Sequence, residues 1–323
     1  MKLVVFSICM NEEETIAEVI KGVPKKIKNI SSTEFVVIDD GSSDKTVRVA
    51  ESAGAKVCSD GVNKKLALRF KEALDIALDM GADIMVNIDG DMQFNPADIP
   101  ALVKPITTGQ ADFVAADRFT DNNGRKHRPE NMPAGKYHGN LIGAKIVSGL
   151  SKQKFNDVTC GFRAYNKKAI RALNINGTKT YTQESFQVLA MKKMRIATIP
   201  TDVKYYPGRK SRVVTSIPSY VLTSAVNILR SYRDFAPLRF FGWLGALPML
   251  LGLVSGGFFF IHWLITGSLS PYKFMGFVGM YFVTLGVILW SLGLVADMLS
   301  RMLNNQEKLI EEVKDIKYKK GAR

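Results

Sequence analysis

Asp89, Asp91 and Gln93 stand within one short turn, Asp89-Gly90-Asp91-Met92-Gln93, soon after the apolar run Ile84-Met85-Val86. Two carboxylates and an amide oxygen at this spacing are hard oxygen ligands, a donor set suited to Mg²⁺ or Mn²⁺ carrying a diphosphate. A second acidic turn, Asp39-Asp40-Gly41-Ser42, closes the run Val37-Ile38 upstream. Together they point to an activated, phosphate-bearing substrate.

Such turns need strands to aim them. Residues 3–8, 34–39, 55–58, 84–88 and 112–116 are short apolar runs, and helical patterns at 12–22, 43–53 and 67–80 separate several of them. This alternation predicts βαβ units and a mostly parallel α/β sheet, with both acidic turns facing one crevice at the strands' carboxyl ends. Ser42-Ser43-Asp44 supplies N-cap chemistry for the helix that follows, and Asn11 with Glu12, Glu13 and Glu14 opens another. Residues 121–140 are polar, basic and rich in turn formers, the composition of a substrate loop.

The remainder of the 323 residues is different in kind. No Lys, Arg, Asp or Glu occurs from Phe240 through Tyr272 or from Phe274 through Ala296, and each stretch exceeds the ~20 apolar residues that cross a bilayer. Lys204, Arg209, Lys210, Arg212, Arg230, Arg233 and Arg239 precede the first run and a second basic group follows the last, while the connector carries only Lys273. By the positive-inside rule both ends face the cytoplasm. Met1 to Phe6 is too short for a signal peptide and reads as a first strand.

The net charge of +14 would suit a nucleic-acid binder, but its juxtamembrane clustering favours anionic lipid, and no nucleic-acid partner is expected. Three cysteines without ligand spacing read as free thiols. Between Pro218 and Tyr232 apolar residues recur at helical spacing, which fits a membrane-surface helix or a helix packed on the soluble part. The expected organisation is therefore a cytosolic α/β domain over 1–212, an amphipathic juxtamembrane segment over 213–239, two transmembrane helices over 240–298 and a charged tail over 299–323. Gly245, Gly252, Gly256, Gly279, Gly286 and Gly293 permit close helix approach and make a homo-oligomer plausible.

In order and spacing, Met10-Asn11-Glu12-Glu13, Val37-Ile38-Asp39-Asp40-Gly41-Ser42, Asp89-Gly90-Asp91-Met92-Gln93, Asp117-Arg118-Phe119, Asp157 through Arg163 and Gly208-Arg209-Lys210-Ser211-Arg212 resemble one family. It is that of the inverting GT-A glycosyltransferases of the dolichol-phosphate mannose synthase and polyprenyl-phosphate glycosyltransferase type. The resemblance implies a GT-A, Rossmann-like nucleotide-sugar domain with a C-terminal transmembrane hairpin. It implies that Asp89, Asp91 and Gln93 hold the metal, that Asp40 hydrogen-bonds the nucleotide base, and that Asn11 and Glu12 help line the donor pocket. Arg118 is similar to the family's acceptor-phosphate arginine, and Lys136, Asn140, Arg209, Lys210 and Arg212 are expected beside the same phosphate.

Two departures stand out. Lys136 and Asn140 occupy positions where relatives often carry Arg and Ser, and Lys is a point charge rather than a bidentate fork. At 63–69 the relatives' glycine-rich loop is replaced by Asn-Lys-Lys-Leu-Ala-Leu-Arg. There Lys64, Lys65 and Arg69 either supply side-chain charge to the donor or simply begin a solvated helix.

The implied reaction transfers one sugar, with inversion, from a nucleotide diphosphate sugar to a membrane polyprenyl phosphate, with Asp91, Arg118 and Asp157 in the catalytic set. Asp157 either positions substrate through Arg163 or stabilises its own loop, and Gln183-Glu184 either approaches the sugar or serves as the acidic first turn of a helix. A glycolipid or polysaccharide hydroxyl as acceptor, and a catalytically silent nucleotide-sugar-binding scaffold, are the competing readings. Acceptor chemistry separates the first and metal-dependent turnover the second.

Overall fold

The computed structural model describes residues 1–175, 181–206, 226, 229–230, 232–234 and 236–320. Its core is a seven-stranded sheet in the order β3-β2-β1-β4-β6-β5-β7. The strands are β1 (Lys2–Cys9), β2 (Ser32–Asp39), β3 (Lys56–Cys58), β4 (Ile84–Asn87), β5 (Phe113–Asp117), β6 (Arg163–Asn166) and β7 (Ile196–Pro200). All neighbours run parallel except β6, which is antiparallel to both β4 and β5.

The inner strands are apolar runs because helices cover both faces. On β1, Leu3 and Val5 join a cluster with Ile16, Val37, Val86 and Leu102, drawn from α1 (Ile16–Gly22), β2, β4 and α4 (Ile99–Thr107). Val4 and Phe6, which alternation turns the other way, are equally buried, as are Phe70, Ala73 and Leu74 of α3 (Leu66–Asp79).

Strand direction decides where the functional loops go. β1, β2, β4 and β5 deliver residues 10–15, 40–45, 88–95 and 118 onward at their carboxyl ends. The reversed β6 begins at that same edge, its Arg163 paired with Asn87 and Ala115. The loop 157–162 is thereby brought to the crevice formed by the other four, which an all-parallel sheet would not do.

The first two helices begin later than the periodicity suggests. α1 starts at Ile16 because Glu12 N donates to Thr46 Oγ1 (2.7 Å) and Glu13 N to Asp44 Oδ2 (3.2 Å), binding the first loop to the second. α2 (Thr46–Ser52) is opened by Asp44, whose Oδ1 accepts from Thr46 N at 2.9 Å. Ser42 and Ser43 instead engage Asn11: Asn11 N donates to Ser42 Oγ (2.9 Å) and Ser43 N to Asn11 Oδ1 (2.7 Å). α5 (Ala134–Ser151), α6 (Lys167–Ala172) and α7 (Thr182–Met191) complete this unit.

A second compact unit spans Leu229–Ile310. It holds α8 (Pro237–Thr266) and most of α9 (Lys273–Lys320). Pro237–Thr266 and Lys273–Ile310 are candidate membrane spans of mean hydropathy 2.0, and their large side chains are mostly exposed, as lipid-facing residues are. Glycines set their contact. A Cβ on Gly252 would lie 2.6 Å from Val283 N, one on Gly279 2.7 Å from Gly256 N, and one on Gly286 3.1 Å from Gly245 O. The glycine stripe expected to join separate copies thus joins the two helices of one hairpin. Of the expected 213–239 segment, residues 213–225, 227–228, 231 and 235 lie outside the described residues.

Candidate active site

The acidic turn is fixed by close backbone approach. Ile88 N donates to Phe6 O (2.9 Å) and Thr15 Oγ1 to Gly90 O (2.7 Å), while a Cβ at Gly90 would stand 2.6 Å from Cys9 Sγ. Asp91 Oδ1 accepts from Gln93 N at 3.1 Å, and Met92 between them takes the left-handed conformation at φ 56. Across the turn, a Cβ at Gly161 would stand 2.9 Å from Asp89 Oδ1, so the glycine leaves this carboxylate uncovered.

Burial, then the neighbouring charge of Asp91, pushes the Asp89 carboxyl up to about 7, against the opposing charges of Arg118 and Arg163. Two carboxylates that raise one another's cost of ionisation are relieved by a shared cation. Among the described residues no group of three or more His, Cys, Asp or Glu side chains is arranged for a metal. Asp89, Asp91 and the amide of Gln93 are hard oxygen donors of the kind that Mg²⁺ and Mn²⁺ take together with substrate and water oxygens.

Asp40, expected to hydrogen-bond the nucleotide base, already accepts within the chain. Its Oδ1 takes hydrogen bonds from Lys64 N (2.7 Å), Lys65 N (3.1 Å) and Arg69 Nε (3.1 Å). Arg69 is 2 % exposed and also meets Asp60 (Nη2 to Oδ1, 2.5 Å) and Glu72 (Nη1 to Oε2, 2.8 Å). Lys64 Nζ bridges the same two acids at 2.5 and 2.8 Å. The hydrogen bonds from Arg69 and Lys64 hold Asp60 far below the usual carboxylate range. Lys64 and Arg69, expected to offer charge to the donor, are answered here by three carboxylates and build the glycine-poor loop. Gly41, at φ 78, admits that loop: a Cβ there would lie 2.9 Å from Asn63 N. Asn11, at φ 57, and Glu12 belong to the first loop and are held by the bonds to Ser42 and Thr46 described above.

Opposite lies the cationic side. Arg118, at the end of β5, grips Asp157 side-on, Nε to Oδ2 at 2.5 Å and Nη2 to Oδ1 at 2.9 Å. Nη2 also donates to Thr159 Oγ1 (2.7 Å) and Nη1 to Tyr205 Oη (3.0 Å). Burial would raise Asp157, yet the Arg118 charge and the hydrogen bonds from Arg118 and Thr159 overcome it and hold the carboxylate below its ordinary value. Lys136 sits 5.0 Å over the Tyr205 ring, and Asn140, one helical turn along α5, is 6 % exposed. Burial and the Arg118 charge both lower the Lys136 pKa, with Asp157 and Asp91 opposing. The acidic turn and the Arg118–Lys136 pair therefore feel one another's charge. Arg209, Lys210 and Arg212 lie outside the described residues.

Asp157 pairs with Arg118 and not with Arg163. The guanidinium of Arg163, 0 % exposed, donates instead to the carbonyls of Cys160 (2.6 Å), Val158 (3.0 Å) and Thr182 (2.8 Å), ringed by Phe113, Tyr181 and Phe186. It clamps the loop that carries Asp157 and Gly161 to the start of α7, where Gln183 is buried with its Oε1 unpartnered. Thr159 and the clamp role of Arg163 were not evident in the sequence; the run Asp157 to Arg163 marked the place but not the partners.

An α/β sheet with crossed acidic and basic loops at one edge is the architecture of a nucleotide-sugar transferase. Residues 4–173 match the model of Glycosyl transferase family 2, and the chain belongs to that family. It is 28% identical over 94% of its length to glycosyltransferase AglJ of Haloferax volcanii, covering 95% of that protein. It is 26% identical over 70% of its length to UDP-N-acetylglucosamine--dolichyl-phosphate N-acetylglucosaminyltransferase of Methanococcus voltae, covering 90% of it. The fold is the GT-A fold seen in glucosyl-3-phosphoglycerate synthase from Mycobacterium tuberculosis in complex with Mn²⁺, UDP-glucose and phosphoglyceric acid. That match has a TM-score of 0.55 at 19% identity, over 70% of this chain and 79% of the other.

Proposed function

We propose that this glycosyltransferase moves one sugar from a nucleotide diphosphate sugar to a membrane polyprenyl phosphate, dolichyl or undecaprenyl in type, with inversion at the anomeric carbon. The observation that carries the reading is the Arg118–Lys136–Tyr205 cluster set within electrostatic reach of the Asp89–Asp91 turn. The named activity of the Methanococcus voltae relative and the candidate membrane hairpin support the same acceptor.

Asp89, Asp91 and Gln93 would hold a divalent cation that, when bound, neutralises charge building on the nucleoside diphosphate leaving group. Asn11, Glu12 and the loop anchored by Asp40, Lys64 and Arg69 enclose the nucleotide end of the donor. An acceptor phosphate monoester has a second pKa near ~6 and arrives largely ionised at cytosolic pH, so its oxygen attacks without a strong base. Arg118 and Lys136, joined by Asn140, draw that dianion toward the donor and offset phosphate–phosphate repulsion. Asp157 is not a base here. It is ionised, accepts bonds from Arg118, Thr159 and Cys160, and orients the guanidinium. A hydroxyl acceptor would need a carboxylate held at a higher pKa and open to the substrate.

In this reading the basic residues that flank the hairpin keep both its ends, and the catalytic domain, on the cytoplasmic side. The test is transfer of labelled sugar into organic-extractable lipid by purified membranes given a panel of nucleotide sugars, added polyprenyl phosphate, and divalent metal present or chelated. A metal-dependent, acid-labile lipid product is expected. Transfer to a glycolipid hydroxyl with polyprenyl phosphate inert would overturn the acceptor, and donor binding without turnover would mark a silent scaffold.

A further inference from the structure

The last helix outruns the membrane. α9 extends unbroken through 48 residues, about 72 Å at 1.5 Å per residue, against a hydrocarbon core of about 30 Å. Neither Gly nor Pro occurs from Val295 to Lys320, so the helix has no break at which to fold back onto the bilayer.

Beyond the apolar span its sequence changes period. Leu299, Met302, Gln306, Leu309, Val313 and Ile316 alternate at spacings of three and four, the a and d positions of a heptad. Leu303 and Ile310 widen the stripe by one row. The other faces carry Arg301, Asn305, Lys308 and Glu312. In the single chain Leu309 is 61 % exposed, Val313 63 % and Ile316 60 %. This pattern has no use in lipid, where a helix is apolar all round, and a cost in water, where it exposes a contiguous apolar stripe.

We infer that α9 beyond about residue 298 is an assembly helix whose partner is the same segment of other copies of this chain, in a parallel, in-register coiled coil. Two features select a second copy. Copies inserted in one membrane share one orientation, so their α9 helices emerge parallel and at equal height, the arrangement in which a meets a and d meets d. Gln306, polar among the a positions, fixes the register, because any shift opposes an amide to an apolar side chain. Gly245, Gly252, Gly279 and Gly286 of the hairpin already pack within one chain. The inference rests on membrane insertion and not on the identity of acceptor or donor.

The test uses the full chain in native membranes. In a Cys58→Ser background, with Cys9 and Cys160 buried, single cysteines are introduced by Met302→Cys, Leu309→Cys and Ile316→Cys, and at the opposite face by Arg301→Cys and Lys308→Cys. Mild oxidation should cross-link two copies at 302, 309 and 316 and not at 301 or 308. A flat profile, or no cross-link at any position because the catalytic domain or another protein covers the stripe, overturns the inference. As a second measurement, Leu309→Glu with Val313→Glu should reduce the particle mass in detergent, measured by light scattering, to that of one chain. These side chains are exposed in the monomer, so the change leaves its folding intact. An unchanged oligomer mass in this variant also overturns it.

Discussion

Arg118 and Asp157 form a side-on pair, two hydrogen bonds of 2.5 and 2.9 Å between side chains that are almost wholly buried. With Thr159 and Tyr205 also taking donors, most of the Arg118 fork is spoken for before any phosphate arrives. The guanidinium thus cannot swing, and in the proposed reading it meets the acceptor phosphate preorganised. Removing one member of such a pair leaves the other charge buried, at a cost of about 3–5 kcal/mol. Asp157→Ala should therefore lower the melting temperature and the use of lipid phosphate together. Arg118→Lys keeps the charge but loses the fork, and should raise KM for the lipid far more than KM for the nucleotide sugar. An unchanged acceptor dependence in Arg118→Lys would remove Arg118 from the site.

The pair also sets an acid limit. Asp157 is held below its ordinary value, so its contribution to stability is complete above the unfolded carboxylate pKa of about 3.9 and is lost as pH falls through the lower folded one. The stability difference between wild type and Asp157→Asn should be constant from neutral pH down to about 4 and shrink below it. Thermal melts of both proteins across that range check it, and a difference that already declines near neutrality would contradict it.

Asp89 behaves in the opposite sense. Burial and Asp91 place its carboxyl at about 7, so below that pH a cation must displace a proton. Apparent Mn²⁺ affinity should weaken about tenfold per pH unit beneath 7 and level off above it. Asp91→Ala removes both a ligand and the repulsion, so it should abolish turnover and metal binding while leaving membrane insertion intact. Metal titration followed by paramagnetic resonance reads both effects, and wild-type turnover in Asp91→Ala would refute ligation there.

The parts of this molecule that the sequence made legible are those governed by local pattern. β1, β2, β4 and β5 are continuous apolar runs closed by Asp or by turn chemistry, and both hairpin helices lack charge over a bilayer's width. What escaped was decided by partners distant in the chain. β6 is four residues long and reversed, and β7 is half-exposed, so neither carries a strong period. Lys64 and Arg69 look like free cations until Asp40, Asp60 and Glu72 are seen around them. Arg163 lies only six residues from Asp157, yet it serves carbonyls and aromatic rings while the more distant Arg118 takes the carboxylate.

Gly161 tests how tightly the acidic turn is built. Its backbone has an ordinary conformation, so alanine introduces no strain in φ, and the methyl group is the whole perturbation. That methyl would stand 2.9 Å from Asp89 Oδ1 and 3.0 Å from Oδ2. Gly161→Ala should keep the fold, displace the carboxylate and cost about 10–100-fold in metal affinity, the usual effect of disturbing a ligand's support. Equal Mn²⁺ titrations of the two proteins would show that the loop yields instead.

The donor loop offers the last test. Arg69 joins Asp40, Asp60 and Glu72, and of these Asp40 is the most buried partner, already bonded to the amides of Lys64 and Lys65. Arg69→Met leaves that oxygen one donor short, a loss of about 1–3 kcal/mol, and frees two acids beside the entering diphosphate. Donor KM should rise with the fall in melting temperature, and Arg69→Lys should not restore it, because one ammonium cannot span three carboxylates as a planar fork does. Asp60→Asn changes a partner that is 39 % exposed, and exposed pairs contribute about 0–1 kcal/mol, so its stability should scarcely move. If Arg69→Met loses stability but keeps its donor KM, the network serves only to hold the loop; if both parameters shift, the same carboxylates that fold the loop also shape the nucleotide pocket.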